Sequence, residues 1–308
     1  MTERDDPVIR HERIRGDGVE LHVAVTGGGP PVILLHGFPE NWTSWRHQLA
    51  PLAAAGLSVW APDMRGYNES ERPRERDAYH LRHLVADVAS LVRATRCPRA
   101  HIVGHDWGGL VAWTLAARHP ELVDKLVILN APHLDIYLDK VRRPPQMFRS
   151  LYVLLFLIPR VAEWALSAGG YRAVREMFGR TPARRGAFDE AQIRRYVAAL
   201  STPGALTAAL NYYRANSRPD RLAWARAAPI AAETLVIWGD RDPALDLEVL
   251  DDLHTVAPRS RVHHIADAGH WVQNEAPGEV SRLLIEFLTI RSPTAEERRP
   301  YDPVVRPA

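Results

Sequence analysis

The sequence predicts an α/β fold: a doubly wound, mostly parallel sheet with an inserted helical cap. Three observations lead there. Short, wholly apolar runs such as residues 32–35 and 126–129 alternate with helical stretches, the pattern of strands buried on both faces. One such run, residues 100–103, leads through Gly104-His105-Asp106-Trp107-Gly108 straight into a helical stretch at 110–118. From about residue 132 to 229 the alternation stops and helical patterns dominate.

Taken in order, residues 8–15 and 19–26 read as an antiparallel hairpin around Gly16-Asp17-Gly18. The strand at 32–35 ends in His36-Gly37-Phe38-Pro39-Glu40. A helix over 43–55, a buried strand over 57–61 and the polar loop from Asp63 to Ser70 follow. An amphipathic helix over 79–95 returns the chain to the strand at 100–103. Within the insertion, helices are expected over 145–158, 161–166, 187–200 and 204–215. The sheet resumes at 234–238, then come a helix over 244–256, a strand over 261–265 and a closing helix over 277–290. The organisation expected is a core of residues 1–131 and 230–291 and a cap of 132–229. A tail, 292–308, rich in Pro, Arg and Glu, is expected to be loosely attached.

Composition excludes several function classes. Net charge is only +2, and the basic residues, almost all arginine, are interspersed with acids, which argues against a nucleic-acid partner. A single cysteine, Cys97, rules out an internal disulfide and suits a reducing compartment. No secretory leader is visible, and the longest apolar run, 151–158, is too short to span a bilayer. A cytoplasmic protein without a membrane partner is expected, with a homodimer left open.

The strand–turn–helix around Asp106 has the form of a nucleophile elbow. Its apex is strained, so the residues two positions away must lack bulk; Gly104 and Gly108 stand there. The apex is an aspartate where serine is usual. Asp is also a common helix cap, so the reading needs support from elsewhere in the chain.

That support comes from His36-Gly37-Phe38-Pro39-Glu40, Gly104-His105-Asp106-Trp107-Gly108-Gly109, Trp238-Gly239-Asp240-Arg241-Asp242 and Gly269-His270-Trp271. With these motifs in this order, the chain resembles the α/β-hydrolases of the epoxide hydrolase branch over about residues 8–291. Asn68 stands where that family's loop usually carries Gly, a change that the tolerance of Asn for a left-handed backbone makes neutral.

Chemistry accounts for the aspartate. Serine attacking an epoxide would leave an ether, whereas a carboxylate leaves an ester that water can cleave. Asp106 is therefore the expected nucleophile, with the backbone N–H groups of Phe38 and Trp107 as oxyanion donors. Among 14 histidines, His270 is the expected base, because it lies in a loop after the last strand. His263 and His264 fall within that strand, and His101 and His105 flank the elbow as structural residues. The orienting acid is expected at Asp242, with Asp240 as the nearer competitor. Some relatives carry the acid after the preceding strand, but Asn130, at that place here, holds no charge.

The resemblance implies two cap tyrosines that serve the leaving oxygen, Tyr152 and Tyr213, with Tyr212 the alternative to the second. The apolar run around Tyr152 suggests a hydrophobic pocket, expected to include Phe38, Trp107, Tyr212, Phe156 and Trp271, for a small lipophilic epoxide and water, with neither cofactor nor metal. A haloalkane or haloacid dehalogenase is the nearest alternative. Phe38 occupies the place of a halide-binding Asn, however, and Trp107 and Leu110 occupy those of carboxylate-binding arginines. A non-catalytic ligand receptor is the alternative from another class; the complete set of catalytic residues speaks against it.

Overall fold

The turn at Gly16-Asp17-Gly18, with Gly18 at φ +73°, folds β1 (Arg10–Arg15) against β2 (Glu20–Gly27) in antiparallel register. In the computed structural model, which describes residues 8–218, 222–225 and 229–290, this hairpin forms one edge of an eight-stranded sheet. The expectations for the tail 292–308 and for the first seven residues lie outside the described residues. The other strands are β3 (Pro31–Leu35), β4 (Ser58–Pro62), β5 (Ala100–His105), β6 (Val123–Leu129), β7 (Glu233–Gly239) and β8 (Ser260–Ile265). Their order is β1-β2-β4-β3-β5-β6-β7-β8. β2 pairs antiparallel with β4, and every pairing from β4 to β8 is parallel.

Side chains alternate between the two faces of this sheet as a pleat requires. Leu126 and Ile128 of β6 join one core with Val85 and Val88 of α2 (Leu81–Ala94) and Val111 and Leu115 of α3 (Trp107–Arg118). Val127 and Leu129 join the other core with Leu49 and Leu52 of α1 (Arg46–Ala54) and Leu284 and Phe287 of a closing helix, Pro277–Thr289. Helices on both faces are the doubly wound arrangement the sequence predicts.

Between β6 and β7 the described chain is helical: α4 (Leu134–Lys140), α5 (Gln146–Arg149), α6 (Leu151–Phe156), α7 (Val161–Arg180), α8 (Glu190–Ser201) and α9 (Ala205–Ala215). Two expectations are corrected and a third is extended. The helix expected over 145–158 breaks at Ser150, whose hydroxyl is taken by Tyr137 (3.0 Å) and Gln146 (2.8 Å). The helix expected over 161–166 ends where the backbone leaves the helical region at Ala168, Gly169, Gly170 and Tyr171; what the sequence reading lacked is the second helical segment of α7, which follows this kink to Arg180. The helix expected over 244–256 is reduced to a 3-10 turn at Leu247–Leu250 and one turn at Leu253–Val256. The N–H groups of Ala244 and Leu245, ahead of these turns, donate to the Asp242 carboxylate.

α9 fastens this helical layer to the core. Tyr212 donates to the Arg65 carbonyl (2.7 Å), and the Asn216 amide pairs with Leu81 N–H (2.9 Å) and Tyr79 C=O (3.0 Å).

Candidate active site

Every side chain at the centre of the site leaves the carboxyl end of a parallel strand, where doubly wound sheets bind their ligands. Asp106 follows β5 with φ +50° and ψ −119°, a strained conformation for a residue with a side chain. The glycines leave no alternative. A Cβ on Gly104 would lie 2.4 Å from Gly108 O, and one on Gly108 would lie 2.3 Å from Leu35 O. The elbow is packed backbone to backbone.

The two oxygens of Asp106 face different partners. Oδ1 accepts the Phe38 N–H at 2.8 Å, and Oδ2 lies 3.7 Å from His270 Nε2. The Trp107 N–H opens α3 and so has no acceptor within the helix. Behind His270, Nδ1 donates to Asp242 Oδ2 at 2.7 Å. Asp242 is fully buried and its remaining lone pairs are filled. Oδ1 accepts the N–H groups of Ala244 (2.7 Å) and Leu245 (3.0 Å), and Oδ2 accepts Asn130 Nδ2 (2.8 Å). Asp240 turns outward to His264 (2.7 Å), and His263 pairs with Glu279 (3.1 Å), so none of these three reaches the cleft.

Burial works against the imidazolium of His270. The Asp242 carboxylate, its hydrogen bond, and the charges of Asp106 and Glu40 outweigh it and raise His270 to about 9. Asp242 is lowered although burial would raise it, because His270 and the donors around it favour the charged form. Since Asp106 contributes to holding the proton on His270, covering the Asp106 charge loosens that proton.

Two supports escaped the sequence reading. The Gly37–Phe38 peptide is held at both ends: its carbonyl accepts His36 Nδ1 (2.9 Å) while its N–H serves Asp106. His36 Nε2 accepts the Met64 N–H (3.0 Å), which leaves Nδ1 as the protonated nitrogen, and burial lowers the His36 pKa and keeps the ring neutral. The second is the buried pair Glu40–His105 (3.0 Å), whose His105 Nε2 donates to the His270 carbonyl at 2.9 Å. Burial would raise the Glu40 carboxyl, but the charge of His105 and its hydrogen bond, with that of Ser44, hold it low. The only sequence signal for this pair was that Glu40 and His105 both lie inside the two motifs.

The cap closes over Asp106 with two phenols. Tyr152 and Tyr213 line both cavities that meet at Asp106, one of about 310 Å³ and one of about 200 Å³. The larger is walled by Trp107, Leu110, Leu134, Leu138, Val153 and Leu222, the smaller by Phe38, Phe156, Met177, His270 and Trp271. Tyr152 is 41% exposed, since it stands where the cavity opens, whereas Tyr213 is more enclosed and edges onto Phe38 and Trp107. Desolvation, then the neighbouring phenol and the Asp106 charge, hold Tyr213 well above the ordinary phenol range; Tyr152, though its ring is partly exposed, is raised in the same direction by desolvation on the cavity side and by Asp106.

Tyr212 is a correction. It is fully buried, packs against Tyr67 and Tyr79 and spends its hydroxyl on Arg65 C=O, so it lines neither cavity. Phe38, Trp107, Phe156 and Trp271 do line the cavities. Among the described residues no His, Cys, Asp or Glu cluster forms a metal-binding group.

Comparison with known proteins bears on this geometry. The alpha/beta hydrolase fold family matches residues 30–277. The chain is 35% identical to the AB hydrolase superfamily protein YfhM of Bacillus subtilis, covering 91% of this chain and 98% of that one. It is also 35% identical to Epoxide hydrolase A of Mycobacterium tuberculosis, covering 89% and 95%. Among solved structures, Epoxide Hydrolase A from Mycobacterium thermoresistibile superposes with a TM-score of 0.80 at 32% identity, over 91% of this chain and 98% of that one. The family match, the sheet order and the elbow agree: this chain belongs to the α/β-hydrolase family, in its epoxide hydrolase branch.

Proposed function

We propose that this protein hydrolyses lipophilic epoxides to vicinal diols through a covalent ester on Asp106. The observation that carries this reading is the split environment of that carboxylate. One oxygen is tied to a backbone donor, and the other faces a histidine and two phenols across an apolar cavity.

In the first step Asp106 Oδ2 attacks an epoxide carbon and the C–O bond of the ring breaks. The departing oxygen takes a proton from Tyr152 or Tyr213, whose high pKa values keep both phenols protonated until charge develops beside them. Esterification removes the Asp106 charge, so the pKa of His270 falls and its proton can pass out to solvent or back to the phenolate. The neutral ring then takes a proton from water as the oxygen of that water adds to Asp106 Cγ. Negative charge forms on Oδ1, where the Phe38 N–H already points and the Trp107 N–H is unclaimed within its helix. Collapse breaks the Cγ–Oδ2 ester bond and the diol leaves with the proton from His270; the acid proton left on the new carboxyl group then passes to His270, which restores both the carboxylate and the imidazolium. Epoxide and water are consumed and one diol is formed.

A single turnover in heavy-oxygen water with enzyme in excess tests the scheme. The label is expected in the Asp106 carboxylate and not in the first diol released. Label appearing directly in that diol would remove the ester. Parallel assays with an aryl epoxide and a chloroalkane are expected to give diol from the first and no halide from the second.

A further inference from the structure

Nine of the thirteen exposed large apolar side chains among the described residues fall between 147 and 164. Trp164 (72%), Phe148 (61%) and Leu154 (60%) are the most open of these. Between residues 145 and 163 the cap buries only Gln146, Ser150, Phe156 and Ala162 fully. An apolar face of this kind on a folded protein marks a contact surface.

Charge indicates what covers it. Residues 140–162 contain five cations (Lys140, Arg142, Arg143, Arg149 and Arg160) and no acid. Lys140 is paired with Asp251, Arg143 with Asp139 and Arg149 with Asp246, whereas Arg142 and Arg160 have no ion pair among the described residues. Immediately beyond Ile158, a groove is lined by Arg74, Arg76, Pro159, Arg160, Glu163 and Arg214. Its one acid, Glu163, is claimed by Arg214 at 2.6 Å, so Arg74, Arg76 and Arg160 stand exposed without an ion-pair partner there. Glu75 and Asp77 flank the first two on the same turn. A second copy of this face would set cations against cations. A lipid phosphate is attracted by the groove while acyl chains accept the apolar residues.

We propose that this face of the cap docks on an anionic membrane surface. Phe148, Leu151, Ile158, Val161 and Trp164 enter the headgroup–acyl boundary, and Arg74, Arg76 and Arg160 lie on lipid phosphates. No single helix among the described residues is long and apolar enough to cross a membrane. The pair Gln146–Phe156 and Val161–Arg180 passes together by length and composition but is bent by 89°, and its exposed apolar residues extend far enough to lie in the interface. Tyr152 and Leu154 are both exposed on this face and line the larger cavity, so the contact surrounds its mouth. Docking stands apart from the proposed chemistry; only delivery of a lipophilic epoxide out of the bilayer rests on it.

Flotation of the full chain with vesicles tests this. Vesicles of phosphatidylcholine alone are compared with an equal mixture of phosphatidylcholine and phosphatidylglycerol, at low and high salt. Binding is expected to the mixed vesicles only, and to fall with salt. Trp164→Asp with Phe148→Asp, and separately Arg74→Glu with Arg160→Glu, are each expected to reduce it more than about tenfold. Circular dichroism and hydrolysis of a water-soluble epoxide are expected to be unchanged in both variants. Equal binding to the two vesicle types would overturn the proposal, as would no binding to either. A wild-type dimer in sedimentation analysis that Trp164→Asp abolishes would also overturn it, and would assign the face to a second copy of the chain.

Discussion

The elbow and the cap both touch the reacting centre, but they are built in opposite ways. Around Asp106, Asp242 and His270 the polar groups are buried, matched and anchored on strand ends, and the glycines bring backbone against backbone. The cap holds its phenols on short helices, α6 and α9, one broken at Ser150 and half-open, the other locked to the core by Tyr212 and Asn216. The difference teaches where each job can be done. Charge must develop next to dipoles that do not move, whereas a substrate of variable shape needs walls that can adjust.

The largest effect expected is from Asp106→Ala, which eliminates turnover. It also removes one of the charges that raise His270, so the histidine is expected to titrate below about 9 in an NMR titration. An unmoved value would mean that the two groups do not sense each other. Next, His270→Gln is expected to leave esterification intact and to stall hydrolysis by about a thousandfold or more. Mass spectrometry is expected to find the substrate mass on the Asp106 peptide, and its absence would break the two-step division of labour.

On the cap side, Tyr152→Phe with Tyr213→Phe is expected to abolish ring opening while leaving hydrolysis of a preformed ester at the wild-type rate. Full turnover in that double variant would take the cap out of the chemistry. A smaller loss belongs to His36→Ala. Without the clamp on the Gly37–Phe38 peptide, ester hydrolysis is expected to slow about ten- to a hundredfold. Ester formation in the same variant, read by a pre-steady-state burst, is expected to change less.

The smallest effect is on stability. Arg214 is buried in the cap and holds the Phe156 carbonyl (2.9 Å) and Glu163 (2.6 Å), which lowers Glu163 to about 2 despite some burial. A carboxyl lowered in the folded state stabilises it above its ordinary pKa and loses that contribution as pH falls through about 2. Glu163→Gln is expected to cost about 1–2 kcal/mol at neutral pH, since water screens this partly exposed carboxylate. The deficit in melting temperature should shrink as acid is added; a constant deficit would assign it to packing.

Much of the core was legible because its constraints are steric and local. Gly104 and Gly108 admit no side chain, and Asn68 takes the left-handed backbone (φ +43°) that an Asn tolerates. Local patterns could not separate Tyr212 from Tyr213: neighbours on a helix differ by about 100° in direction, and only the packing of α9 shows which faces Asp106. Nor could they show the contact between Glu40 and His105, which lie 65 residues apart. The bonds of Ala244 and Leu245 N–H to Asp242 are likewise set by a carboxylate whose position depends on the completed sheet.

Asn130 is at φ +38° with its amide divided between Gly239 and Asp242. That geometry isolates the present location of the acid. Asn130→Asp alone would set two anions against each other and against a carbonyl, and Asp242→Asn alone would leave the histidine without its counter-ion. On the proposed mechanism, relocating the acid between these two strand ends therefore calls for two changes at once, and either one alone is expected to lower turnover.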